Sequence, residues 1–197
     1  MAALRQYQLI SVDEYLAGEL TSDVKHEYLG GHVYAMAGAR NAHNLIAGNF
    51  FLALGVRLRS KPCQPFNSDT KVKIYTPTQT RFYYPDGMVV CSPNPQHDSH
   101  QDQPVVVAEV LSKSSRRTDE GEKLDYYRMI PSLRVYLVIE QEEPRVVAHR
   151  RVDQGFAREE HLGLDAVIPL PEIAAELPLA ELYQRVEFSP EPDDDPR

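Results

Sequence analysis

Two carboxylates carry the chemistry this sequence could do. Glu109 sits inside PVVVAEVLS (104–112), a continuous apolar run that reads as a strand buried on both faces. An unpaired carboxylate there must find a cation, hydrogen-bond donors or a mouth to solvent, or else take up a proton. Asp86 lies 23 residues earlier, in YYPDGMVV (83–90). Neighbouring strands would bring both side chains to one sheet edge. Two carboxylates a few ångströms apart both stay ionised most easily around a divalent cation, and hard oxygen donors favour Mg²⁺ or Mn²⁺. Three other readings compete with that one. Pro-Asp-Gly is a turn signal, since Pro presets φ, Asp bonds its own backbone and Gly accepts positive φ, so Asp86 is equally a turn residue. Glu109 would be satisfied by a structural ion pair with Arg116 or Arg134. The two acids would also serve as acid and base of a glycosidase.

The elements that must hold these residues are short and firmly punctuated. SVDEYLAGEL reads as a helix capped by Ser11, with Glu14 at the capping-box position. KHEYLGGHVYAMAG (25–38) reads as two strands around a Gly-Gly turn. Residues 41–60 form the clearest helix, with Asn41 as N-cap and Leu45, Ile46, Asn49, Leu52, Ala53 and Val56 as its inward stripe. Extended segments follow at 66–74, 81–84, 87–91 and 104–112. A helix is expected from Asp119 to Met129, with Asp119 and Glu122 at capping-box spacing. Residues 134–140 and 145–151 pair as a hairpin turning near Glu143-Pro144. Helices and strands around a buried central strand give an α/β (α+β) layer rather than a bundle.

Composition narrows the rest. The chain of 197 residues suits a single domain over residues 1–186. The Pro-rich tail, 187–197, carries five acids against one base and reads as disordered solvating sequence. The formal net charge is −8, which argues against a general nucleic-acid coat but leaves room for a local basic patch. Cys63 and Cys91 form no CxxC, so a structural zinc site is not expected, and two lone thiols fit a reducing cytoplasm. No apolar run approaches the roughly 20 residues that span a bilayer. HDSH (97–100) offers two histidines in a polar loop without a third ligand. His43 could face a cleft from its helix, though it is more simply a helix-surface residue.

Taken in order, PDG at 85–87, AEVLS at 108–112 and SSRRTDEGEKLDYYR at 114–128 resemble the PD-(D/E)XK nuclease superfamily. More closely they resemble the Uma-two family of restriction-endonuclease-like bacterial proteins. KHEYLGGHVYAMAG, the helix carrying His43, SDTKVKI and PLAELY resemble its other elements, so the likeness spans Tyr15 to Tyr183. The resemblance implies a restriction-endonuclease-like mixed central sheet flanked by helices, and a Mg²⁺-dependent endonuclease cutting DNA, with Mn²⁺ able to substitute. It implies Asp86, Glu109 and the backbone carbonyl of Val110 as metal ligands, with Glu27 bordering them. A homodimer is the family-level expectation, because a symmetric pair readily cuts two strands. The sequence departs from the superfamily at residue 111, where Leu replaces the usual lysine. Lys123 on the following helix is the candidate replacement, with Lys113 as a weaker one. Gly87 follows Asp86 where a β-branched residue is usual; it would let the backbone approach closely. The alternative is a catalytically inactive nuclease-like scaffold that binds nucleic acid or protein.

Overall fold

The apolar run around Glu109 becomes a strand, Pro104–Val110, at the centre of a six-stranded sheet. The computed structural model describes residues 9–112, 116 and 118–188. All but Glu187 and Phe188 of the acidic tail, together with Lys113 and Arg117, lie outside the described residues. In chain order the elements are α1 (Val12–Glu19), β1 (His26–Leu29), β2 (His32–Ala35), α2 (Asn41–Leu58), β3 (Gln64–Asn67), β4 (Lys71–Tyr75), β5 (Thr80–Tyr83) and β6 (Gly87–Val90). Then come β7 (His100–Gln101), β8 (Pro104–Val110), a π-helical stretch (Thr118–Lys123) and α3 (Leu124–Arg128). The chain closes with β9 (Val135–Ile139), β10 (Arg145–Val152), β11 (Gly155–Leu162), β12 (Val167–Leu170), β13 (Ala175–Pro178) and α4 (Leu179–Leu182).

The larger sheet runs β11-β10-β9-β8-β6-β3, with β8 and β9 parallel and the other pairs antiparallel. A second sheet runs β2-β1-β5-β4-β7, and β12 pairs with β13. The fold is mixed α+β. Instead of one central layer, the strands divide where Tyr84-Pro85-Asp86 carries the chain from β5 in one sheet to β6 in the other.

Side chains alternate across the larger sheet, as strand geometry requires. Val106, Ala108, Val110, Leu137 and Ile139 face a core made with α2, α4 and β13. Val107, Leu111, Tyr136 and Val138 face a second core made with α3, β4 and β5. Both clusters are buried, which holds β8 rigidly in the middle.

Several local expectations hold in detail. Ser11 Oγ accepts from Glu14 N–H, and Glu14 Oε2 accepts from Ser11 N–H, a complete capping box. Gly30 and Gly31 take φ +59° and +102° in the β1–β2 turn. Others are corrected. α2 begins after Arg40, not Asn41, and its buried stripe is Ile46, Phe50, Ala53, Leu54 and Leu58. Leu52 and Val56, assigned inward, are 60% and 59% exposed. The segment 66–74 is broken by a turn at 68–70, between β3 and β4. Asp119 is not an N-cap; it lies buried within the π-helical stretch. Cys63 and Cys91 are not lone thiols but a disulfide. They flank Gln64 and Val90, partners in the β3–β6 ladder, so strand pairing closes a sequence separation of 28. That bond removes the support the thiols gave to a reducing compartment. Among the described residues no helix is long and apolar enough to cross a membrane.

Candidate active site

At the C-terminal end of β8 the two cores part and a cleft of about 780 Å³ opens. Glu109 and Asp86 both line it, and they are held from opposite sides. Glu109 shares a face with Leu111 and Val107, toward α3, because residues two apart on a strand project alike. Its Oε1 accepts from Tyr127 Oη at 2.8 Å and from Lys123 Nζ at 3.3 Å. Asp86 meets α2 instead. Its Oδ1 lies 2.8 Å from His43 Nε2, and its Oδ2 accepts from Val110 N–H at 2.7 Å. Both Asp86 oxygens are thereby oriented by groups on rigid elements.

Lys123 is the hub. Its Nζ lies 3.2 Å from Glu27 Oε1, 3.3 Å from Glu109 Oε1 and 3.3 Å from Asp119 Oδ1. Glu109 and Lys123 are only 3% and 8% exposed. Leu111, standing where a lysine was expected, is buried in the same core as Leu124 and Tyr127. The ammonium instead comes over the strand end from the π-helical stretch. Glu109 takes neither Arg116 nor Arg134 as partner; Arg116 grips Glu140 through two bonds of 2.7 and 2.6 Å.

The electrostatics follow from one ammonium among several acids. Burial pushes the Glu109 carboxyl well above its ordinary range, and Asp119, Asp86 and Glu27 push it further against the pull of Lys123. Burial alone would lower Lys123, but Glu109, Glu27 and Asp119 overcome it and raise its pKa well above the usual value. The Lys123 shift expresses the surrounding negative charge, while that of Glu109 is set first by burial.

That excess bears on a cation. Glu27 Oε1 and Asp119 Oδ1 are buried and, among the described residues, accept no well-formed hydrogen bond despite their closeness to Lys123. Hard oxygen donors, unsatisfied and over-negative, fit a divalent ion chemically. Among the described residues no three His, Cys, Asp or Glu side chains converge as a ready-made metal cage. The carboxylates that the resemblance nominates, Asp86 and Glu109, line the same cleft, while the unsatisfied oxygens belong to Glu27 and Asp119.

Sequence reading missed one member of this cluster, Asp119, and ranked His43, which it saw could face a cleft, below a helix-surface role. Extending the real buried stripe of α2 back from Leu54, Phe50 and Ile46 would have pointed His43 into the fold. Asp119 was hidden by its resemblance to a helix cap. Gly87 has a different reason from the one expected. A Cβ there would stand 2.5 Å from the Phe50 ring, so the close approach is α2 packing, not substrate. Between β6 and β8, His97 is exposed in a loop and His100, the first residue of β7, packs edge-on to Phe82; neither joins the cluster.

Comparison with known proteins adds the following. A family model, Uma2, described as "Putative restriction endonuclease", matches residues 12–180. An "Uncharacterized protein sll1609" of Synechocystis is 30% identical over 172 residues, covering 85% of this chain and 96% of that one. A second Synechocystis relative, "Uncharacterized protein slr1290", is 32% identical over 147 residues, 74% of this chain and 76% of the other. Among solved structures, one described as "a putative nuclease belonging to DUF820" from Anabaena variabilis superposes with a TM-score of 0.68. It is 18% identical and covers 88% of this chain and 97% of its own, a likeness of fold.

Proposed function

The chain belongs to the Uma2 family, described as "Putative restriction endonuclease", and from that premise we propose that it is a Mg²⁺-dependent nuclease hydrolysing DNA phosphodiester bonds. The observation that carries the reading is Lys123, buried beside Glu109 and Glu27 at the floor of the cleft that Asp86 also lines. An ammonium and paired carboxylates at the end of a central strand are what hydrolysis of an anionic ester requires.

Asp86, Glu109 and the backbone carbonyl of Val110 are the donors assigned to the ion. Bound there, Mg²⁺ would neutralise phosphate oxygens, acidify a water and stabilise the departing oxygen. The side chains have their own tasks. His43 and Val110 N–H fix the two Asp86 oxygens. Tyr127 fixes Glu109. Lys123, its proton held by the surrounding acids, donates a hydrogen bond to the attacking water or to a phosphate oxygen rather than accepting a proton. Glu27 and Asp119 keep that ammonium over the strand end. Glu27 belongs to this set as a neighbour of Lys123 rather than as a ligand.

Plasmid cleavage with and without Mg²⁺ or Mn²⁺ tests the reading, with Glu109→Gln and Lys123→Ala beside the wild type. The expected result is metal-dependent nicking, lost in both variants while their folds persist. Folded wild type that leaves every DNA intact with either metal would return the protein to the non-catalytic scaffold reading.

A further inference from the structure

We propose that this cleft takes an unpaired DNA strand, with one base stacked on Tyr34, in preference to a duplex. The inference rests on the nuclease reading for its choice of nucleic acid as occupant.

Register carries the argument. In the β1–β2 hairpin, Tyr34 stands directly opposite Glu27. Opposed residues share a sheet face with their Cβ atoms about 5 Å apart. Tyr34 therefore stands one strand away from the Glu27–Lys123 pair, on the same side. It lines the cleft and is 54% exposed. The other face of this hairpin is spent on structure, where Tyr28 packs with Tyr15 and Phe82. Beyond Tyr34 the wall continues as Ala35-Met36-Ala37-Gly38-Ala39, five residues without a charge. An exposed aromatic ring followed by an apolar wall offers a π-face and a dry surface to a base.

The charges separate the two forms by degree: a single strand has the lower charge density and so loses less than a duplex in an acidic cleft. A duplex presents one phosphate per about 1.7 Å of helix axis and is held by many Lys and Arg contacts. Acids outnumber bases among the described residues lining this cleft. Lys25 is tied to Asp69 at 2.6 Å and to the Ser68 carbonyl, and Arg116 is held by Glu140. Among the described residues the bases of the lining are Lys25, Arg40, Arg116 and Lys123 against seven acids, a poor match to a duplex backbone. Stacking contributes on its own account and is available only to bases that have left the double helix. An unpaired strand also needs one cut, so a single site suffices without a symmetric partner.

Fluorescence anisotropy of the full chain in EDTA tests this. The probes are a labelled single strand of about 16 nucleotides and the same strand annealed to its complement. The expected result is single-strand binding at least about tenfold tighter than duplex binding. Tyr34→Ala should abolish that difference, Tyr34→Trp should keep it, and both should melt like the wild type. Duplex binding as tight or tighter, no binding of either probe, or full single-strand affinity in Tyr34→Ala would overturn the inference. Cleavage with Mn²⁺ separates the two readings. Cutting of duplex with single strands spared would sink the inference and leave the nuclease. Tyr34-dependent binding with no cleavage of any DNA would do the reverse.

Discussion

Replacing Lys123 by Met should destabilise the metal-free protein far more than replacing Glu109 by Gln. In the structure one ammonium sits within 3.2–3.3 Å of three carboxylates, those of Glu27, Glu109 and Asp119. Methionine keeps most of the lysine volume and removes the charge, leaving three crowded acids with no cation among them. Breaking a buried pair in this way costs about 3–5 kcal/mol. For a chain of this size that corresponds to a fall in Tm of roughly 10 °C. Glu109→Gln is the opposite case. It removes the most deeply buried negative charge, leaves Tyr127 an oxygen to donate to, and leaves Lys123 still paired with Glu27 and Asp119. Its cost should stay within about 1 kcal/mol, or the variant should gain stability, as happens when a functional site gives up its charge. Urea denaturation in EDTA, followed by far-UV circular dichroism since the chain has no Trp, reads both. A Glu109→Gln loss equal to or larger than that of Lys123→Met would refute the reasoning, because the cluster would then not be over-negative.

Gly87→Ala should cost about 1–3 kcal/mol, since its Cβ meets the Phe50 ring at 2.5 Å, and Phe50→Leu in the same chain should recover part of it. A Gly87→Ala protein melting with the wild type would mean that α2 yields at that point. Replacing both Cys63 and Cys91 by Ser opens a sequence separation of 28 and should lower unfolding stability by about 3–4 kcal/mol; an unchanged denaturation midpoint would contradict this. Stability should also fall in mild acid. His100 and His149 are depressed by burial first, with Lys73 acting on His100 and Arg128 and Arg158 on His149. A depressed His binds fewer protons folded than unfolded, so stability is lost as pH falls from its ordinary value near 6.5 toward the lower folded one. Melts at pH 7.5 and 5.5 should differ less for His100→Gln/His149→Gln than for the wild type.

The site was legible in the sequence to the extent that burial speaks through composition. Glu109 announced itself because a charge inside a Val-rich run needs a reason. Asp86 did so only jointly with it. What was not legible depended on rotation or register. The α2 stripe was assigned partly off its true face, with Ile46 and Ala53 placed correctly, because Leu45, Leu52 and Val56 are as apolar as the residues actually buried, and that offset drew weight away from His43. Asp119 and Glu122 have capping-box spacing, so the sequence favoured a cap. The π-helical geometry that turns Asp119 and Lys123 inward leaves no mark in composition. The disulfide was hidden for a similar reason, since nothing in the spacing of two cysteines states that β3 and β6 are neighbours. The division of the strands into two sheets at Tyr84-Pro85-Asp86 was likewise masked, because a turn signal says that the chain bends but not which ladder it joins next.

That corner governs the order of assembly. Glu27 arrives from the smaller sheet, Glu109 from the larger, Asp86 from the joint between them and Lys123 from the helix laid across their ends. None of these units can form the cluster by itself. Contacts between distant stretches of chain close late, after local turns and ladders have formed. A refolding chain would thus recover its circular dichroism before its site. In the native state, a local opening at the joint would disperse the four acids and their lysine while both sheets stayed paired. Competence at this site is a report that the two sheets, α2 and the segment before α3 have docked.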